Sequence, residues 1–134
     1  MSLETLNAGA CRALLEANSV GRLALVVDGE PVVYPVNYVV DGSEVVLRTN
    51  WSGLTTACLA KVALEIDGAD RARRSGWSVL VQGVSHDITE ALDLTSENLQ
   101  TIAVSPWAPG PEPRLLRLVP TKITGHHFGP APQG

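Results

Sequence analysis

Two Asp-Gly pairs constrain this chain more than any other feature, because each sits between runs rich in β-branched residues. Asp28-Gly29 follows Arg22 through Val27 and precedes Val32 through Val40, and Asp41-Gly42 then leads into Val45-Val46-Leu47-Arg48-Thr49. Glycine accepts positive φ without steric cost and aspartate tolerates it, so both pairs predict tight hairpins and the three runs predict a meander. In the middle run Val32, Tyr34, Val36, Tyr38 and Val40 alternate with Val33, Pro35, Asn37 and Val39. Both faces are largely apolar. Such a strand is expected to be covered on both sides, by a barrel interior on one and by a helix or a second subunit on the other. Pro35 cannot donate to a ladder, so an edge or a bulge is expected there, with backbone groups available to a ligand.

Around the meander the pattern changes period. Ala10, Cys11, Leu14 and Leu15 recur at helical spacing, predicting a helix from about Leu6 to Ala17 that Asn18 and Gly21 end. A second short helix is expected from Ser52, its N-cap, to Ala60, and a third from about Thr95 to Val104. Strands are expected at Lys61–Asp67, Trp77–His86 and Leu115–Thr124, with a polar loop from Gly68 to Gly76 and a proline-stiffened segment around Trp107. Six strands with closely spaced turns and short flanking helices predict a mainly β fold, a small antiparallel barrel plugged at its ends. Residues 1–128 form its single domain, and 129–134 have the composition of a frayed tail.

Composition narrows the function. With 134 residues, 45% of them hydrophobic and sixteen of them valine, the chain is too apolar to stay disordered, and no run approaches the ~18 apolar residues of a membrane helix. Met1-Ser2-Leu3-Glu4 carries no export signal, and Cys11 and Cys58 alone make no disulfide scaffold, so a cytoplasmic protein with no membrane partner is expected. A net charge of −4 with scattered basic residues argues against nucleic acid as a partner.

Three stretches carry candidate chemistry. Arg48-Thr49-Asn50-Trp51-Ser52-Gly53-Leu54-Thr55 places an arginine and a threonine at a strand end, then a small-residue turn, then a helix start, a combination that suits a phosphate; a capped helix beside a solvated arginine would look the same. Beside Pro35, the backbone of Val36-Asn37-Tyr38 and the Asn37 amide suit the edge of a planar heterocycle, or a solvated bulge. Ser78 and Gln82 point together from an otherwise apolar strand after Trp77, as a polar-lined slot or an exposed face would have it. Trp107 suits core packing, a subunit contact or the cap of a flat ligand. His86, His126 and His127 have no carboxylate or cysteine at ligand spacing, so no metal is assigned, and no nucleophile elbow, dinucleotide fingerprint or P-loop is present.

Val20-Gly21-Arg22-Leu23-Ala24, Pro35-Val36-Asn37-Tyr38, Leu47-Arg48-Thr49, Glu65-Ile66-Asp67, Gly76-Trp77-Ser78-Val79, Trp107 before Pro109-Gly110, and Ile123-Thr124-Gly125 stand in an order that resembles the pyridoxamine 5'-phosphate oxidase-like, FMN-binding split-barrel family. The resemblance implies a six-stranded split barrel that forms a homodimer with flavin sites between the subunits, and a flavin-dependent oxidoreductase acting on a small molecule. It implies that Arg48, Thr49, Ser52, Gly53 and Thr55 hold the FMN phosphate, that Val36, Asn37 and Tyr38 meet the ring, that Trp77, Ser78 and Gln82 line the groove, and that the partner subunit contributes Trp107. Two positions depart from the family pattern: Leu54 stands where members commonly have lysine, and His126 and His127 replace basic residues. These departures imply weaker FMN binding, a deazaflavin (F420) in its place, or a binding module without cofactor.

Overall fold

The computed structural model describes residues 2–49, 60–88 and 114–130. Within them lie strands β1 (Ser2–Thr5), β2 (Val20–Val27), β3 (Glu30–Asp41), β4 (Glu44–Thr49), β5 (Lys61–Asp70), β6 (Ser75–Asp87) and β7 (Arg114–Gly129), and helix α1 (Ala8–Glu16). The meander forms as the two turns require. Asp28 and Gly29 have φ of 52° and 81°, the two positive values of a type I′ turn between Val27 and Glu30. The second turn falls one residue later than expected: Asp41 pairs with Glu44, so Gly42, with φ of 61°, is the first turn residue and Asp41 the last of its strand.

The sheet order is β1-β7-β4-β3-β2-β5-β6, and β6 pairs back onto β7, so six strands close into a split barrel. β7 makes the closure. One of its edges pairs with β6 from Leu116 to Phe128; the other pairs first with β4 through Arg114–Leu118 and then with β1 through His126–Gly129. The ladder between β2 and β5 is confined to Arg22, Leu23 and Ala24, and there the barrel opens. The predicted polar loop from Gly68 to Gly76 is instead mostly strand, since β5 and β6 stay paired out to Asp70 and Ser75. At that exposed end the alternation is polar, which hides the strands from a hydrophobicity pattern.

The alternation expected of β3 holds, with Val36 and Tyr38 in the core and Val33 and Pro35 exposed. Leu23, Leu47, Leu64, Val79, Val81, Leu116 and Leu118 fill the interior beside them. Pro35 pairs with Arg22 on one side and lies beyond the end of the β3–β4 ladder, which begins at Asn37; the β2–β3 register runs through it without a bulge.

α1 starts at Asn7, whose Oδ1 accepts from the Ala10 amide at 2.8 Å, and ends at Ala17, where Asn18 serves the C-terminal carbonyls as expected while Gly21 takes no part. Asn18 donates its side-chain amide to the Leu14 carbonyl, and Gly21 is buried in β2 with Leu64, Ile66 and the Glu65 carbonyl too close for any side chain. The helix buries Cys11 and Leu15, one turn apart, and packs against β7, β3 and β6. Burial raises the Cys11 thiol pKa, which keeps it a packing group. Tyr38 ties plug to barrel: its hydroxyl donates to the Leu15 carbonyl at 2.7 Å, and its amide donates to Ser19. The segments of the other two predicted helices, with Cys58 and Trp107, lie outside the described residues.

Tyr38→Phe leaves the buried Leu15 carbonyl without this donor, so the variant is expected to lose about 1–3 kcal/mol of stability in urea unfolding with an unchanged m-value. Burial pushes the Tyr38 phenol from 10.0 up to about 12. Because the folded state holds this proton more tightly than the unfolded chain, its contribution is complete below pH 10 and is lost as pH rises toward 12. The difference in stability between wild type and variant should therefore shrink across that window.

Candidate functional site

Strand alternation divides the candidate residues between two faces. Leu47 points into the core, so Arg48 points out and Thr49 falls on the inward side. Arg48 stands across from Asn37 on β3 and from Leu115 on β7. It is nonetheless 6% exposed, and Val46 and Leu115 on the same outward face are buried as well. On β3 the side chains of Val36 and Tyr38 belong to the core, leaving Asn37 outward. On β6 Trp77 packs against the core, with its indole filling the space above Gly68 on β5, where a Cβ would come within 2.7 Å of the ring. Ser78, Leu80 and Gln82 face out. The face shared by Ser78 and Gln82 is the exterior of the barrel.

Asn37, Arg48, Ser78 and Gln82 therefore point to the outer side of the barrel wall, Arg48 buried there, while Val36, Tyr38, Thr49 and Trp77 turn their side chains the other way. Ser52, Gly53, Thr55 and Trp107 lie outside the described residues. Asn37 and Arg48 are direct neighbours; Ser78 and Gln82 are separated from them by β2 and β5.

What fills that gap stood in the sequence only as family markers, with no role given to the side chains. Arg22 on β2 reaches across the short β2–β5 ladder with one guanidinium nitrogen 2.5 Å from Asp67 and 3.2 Å from Glu65. Arg22 directly opposes Glu65, and Asp67 is two residues further along the same face, opposite Ser78, which in turn opposes His126. The Glu65 carboxyl is held above its ordinary value by partial burial first and by Asp67 second. Asp67 is held below its own value, by a hydrogen bond from Glu65 and by Arg22. The two carboxyls thus act as a pair with separated proton affinities. The available signal was the outward alternation of Glu65 and Asp67 opposite a lone arginine. A second ionic group, Arg117 with Asp41 and Glu44, each 2.9 Å away, pins the β3–β4 turn to β7.

The sequence profile described as pyridoxamine 5'-phosphate oxidase matches residues 7–127. The chain belongs to this family. A protein of known structure, the FAD-binding protein from Mycobacterium smegmatis, is 31% identical, with a TM-score of 0.74 over 93% of this chain and 99% of that one. A putative pyridoxamine 5'-phosphate oxidase from Corynebacterium glutamicum is 25% identical, with a TM-score of 0.74 over 98% of this chain and 99% of that one. An uncharacterized protein of Mycobacterium tuberculosis is 30% identical over 95 residues, 69% of this chain and 84% of that protein. The two structural likenesses cover nearly the whole chain.

Asp67→Asn removes the negative charge that holds Glu65 up, so the Glu65 carboxyl is expected to titrate at lower pH in the variant. Partial burial remains, so the return toward the ordinary value should be incomplete. Carboxyl NMR titration of Glu65 in both proteins measures the shift; an unchanged or higher midpoint contradicts the pairing.

Proposed function

We propose that this family member binds a flavin nucleotide on the outer face of its barrel and serves as an oxidoreductase for a small molecule, as a homodimer whose partner subunit completes the site. The observation that carries the reading is Arg48: a permanently charged guanidinium, 6% exposed, set outward at the end of β4 beside Asn37. This is the chemistry a phosphate requires, and in sequence it runs directly into Ser52, Gly53 and Thr55, whose hydroxyls and unencumbered backbone suit the same anion. The 31% identical relative described as FAD-binding supports a flavin. The exposed apolar side chains Val20 and Val33 on the outer face support a second copy as cover.

The donor set fits the part that FMN and FAD have in common, the ring system and its first phosphate. Arg48 would hold the phosphate and Asn37 would address the ring edge, its amide able both to donate and to accept. With their side chains in the core, Val36 and Tyr38 would act only through backbone, and Trp77 would support Ser78 from behind. When bound, the flavin supplies transfer of a hydride or an electron pair. The protein's share is to orient and to set the local charge, for which the Arg22–Glu65–Asp67 group lies on the same face. A deazaflavin remains a second reading because Leu54 removes a cation that family members commonly place at the phosphate.

Titration with FMN, FAD and F420, followed by visible absorbance, tests the reading. Saturable binding of at least one is expected, weakened about ten- to a hundredfold by Arg48→Ala. Purified protein that takes up none of the three, or binds equally well after the substitution, overturns it. The dimer is expected to show twice the 14.2 kDa chain mass in light scattering.

A further inference from the structure

The sequence contains two lysines, Lys61 and Lys122, and although 61 residues separate them they line one cavity of about 540 Å³ on the outer face. Lys61 on β5 opposes Val84 of β6, and Lys122 on β7 opposes Gln82, so the two straddle β6 with Cα atoms roughly 12 Å apart. Ala24 and Ala63 keep the floor low, and Val26, 63% exposed, adds an apolar wall. Neither ammonium is paired with a carboxylate among the described residues.

One irregularity creates this arrangement. The β6–β7 register shifts between Gln82 and Gly83: Gln82 pairs with Lys122 but Gly83 with Pro120, leaving Thr121 as an extra residue whose hydroxyl donates to the Gln82 carbonyl at 3.2 Å. Leu116 and Leu118 point inward, so an unbroken strand would turn Lys122 inward too; the bulge inverts the phase and delivers it to the surface. Gly83 permits the bulge, since a Cβ there would lie 2.1 Å from the Val119 carbonyl oxygen.

We infer that this trough is a binding site for a small amphiphilic carboxylate, its apolar body lying on Ala24, Ala63 and Val26 and its carboxylate held between Lys61 and Lys122. The volume falls within the range of small-molecule sites, and two unpaired cations above an apolar floor, in a chain of net charge −4, select an anionic head on an apolar body. The trough shares Gln82 with the candidate flavin groove but uses neither Arg48 nor Asn37, so loss of the Arg48 contact leaves it intact.

The two lysines make the test direct. Reductive dimethylation with isotope-labelled formaldehyde keeps their charge and yields two lysine NMR signals besides the α-amine. Decanoate is expected to move both signals with one shared saturation midpoint, while decanol moves them little. On unlabelled protein, calorimetry should show decanoate binding weakened about five- to thirtyfold by Lys61→Gln combined with Lys122→Gln. Arg48→Ala should leave the decanoate isotherm unchanged while weakening flavin, which separates failure of this inference from failure of the flavin reading. Signals that stay put up to millimolar decanoate, that drift without saturation, or that respond equally to decanol overturn the assignment, as does a double variant that binds like wild type.

Discussion

Everything in this structure depends on β7 pairing along both of its edges. A sheet that closes has no free edge to protect, but closure requires one strand to satisfy neighbours that arrive from different directions. β7 does so by being the longest strand, with β6 along one edge and β4 and then β1 along the other. The interior is then fixed in width, which is why it is filled by leucine and valine from every strand and stopped at one end by Cys11 and Leu15 of the helix. The exterior inherits its geometry from the same closure, and functional groups placed on it are held by strands that cannot shift without breaking the core.

The local parts of this design were legible in the sequence. Asp28-Gly29 and Gly42 specify turns through their own backbone preferences, and the alternation of β3 and β6 follows from the side-chain period of an extended chain. What was not legible depends on partners distant in sequence. β1, the four residues Ser-Leu-Glu-Thr, has no apolar alternation and becomes a strand because the end of β7 lies beside it. The outer ends of β5 and β6, with Asp70, Arg71, Arg73 and Arg74 between and around them, read as a loop because their polar side chains face solvent on a ladder held by backbone hydrogen bonds.

The candidate site was legible as residue types and only partly as geometry. Adjacent residues on a strand face opposite ways, so the alternation turns Arg48 outward and Thr49 inward, and the same rule separates Trp77 from Ser78. Asn37, Arg48, Ser78 and Gln82 point to the outer side of the barrel wall. The Arg22–Glu65–Asp67 group, which links these two pairs, was hidden because its members come together only where β2 and β5 meet.

The bulge at Thr121 has an evolutionary consequence. Side-chain substitution alters a surface one position at a time, but a single inserted or deleted residue in β7 exchanges the faces of all that follows it until the next irregularity. Chains of this shape can therefore gain or lose the outward lysine of β7 in one mutational event, with the barrel wall before the bulge untouched. The position to compare among relatives is thus the length of the strand between Leu118 and Gly125, before the identity of any residue within it.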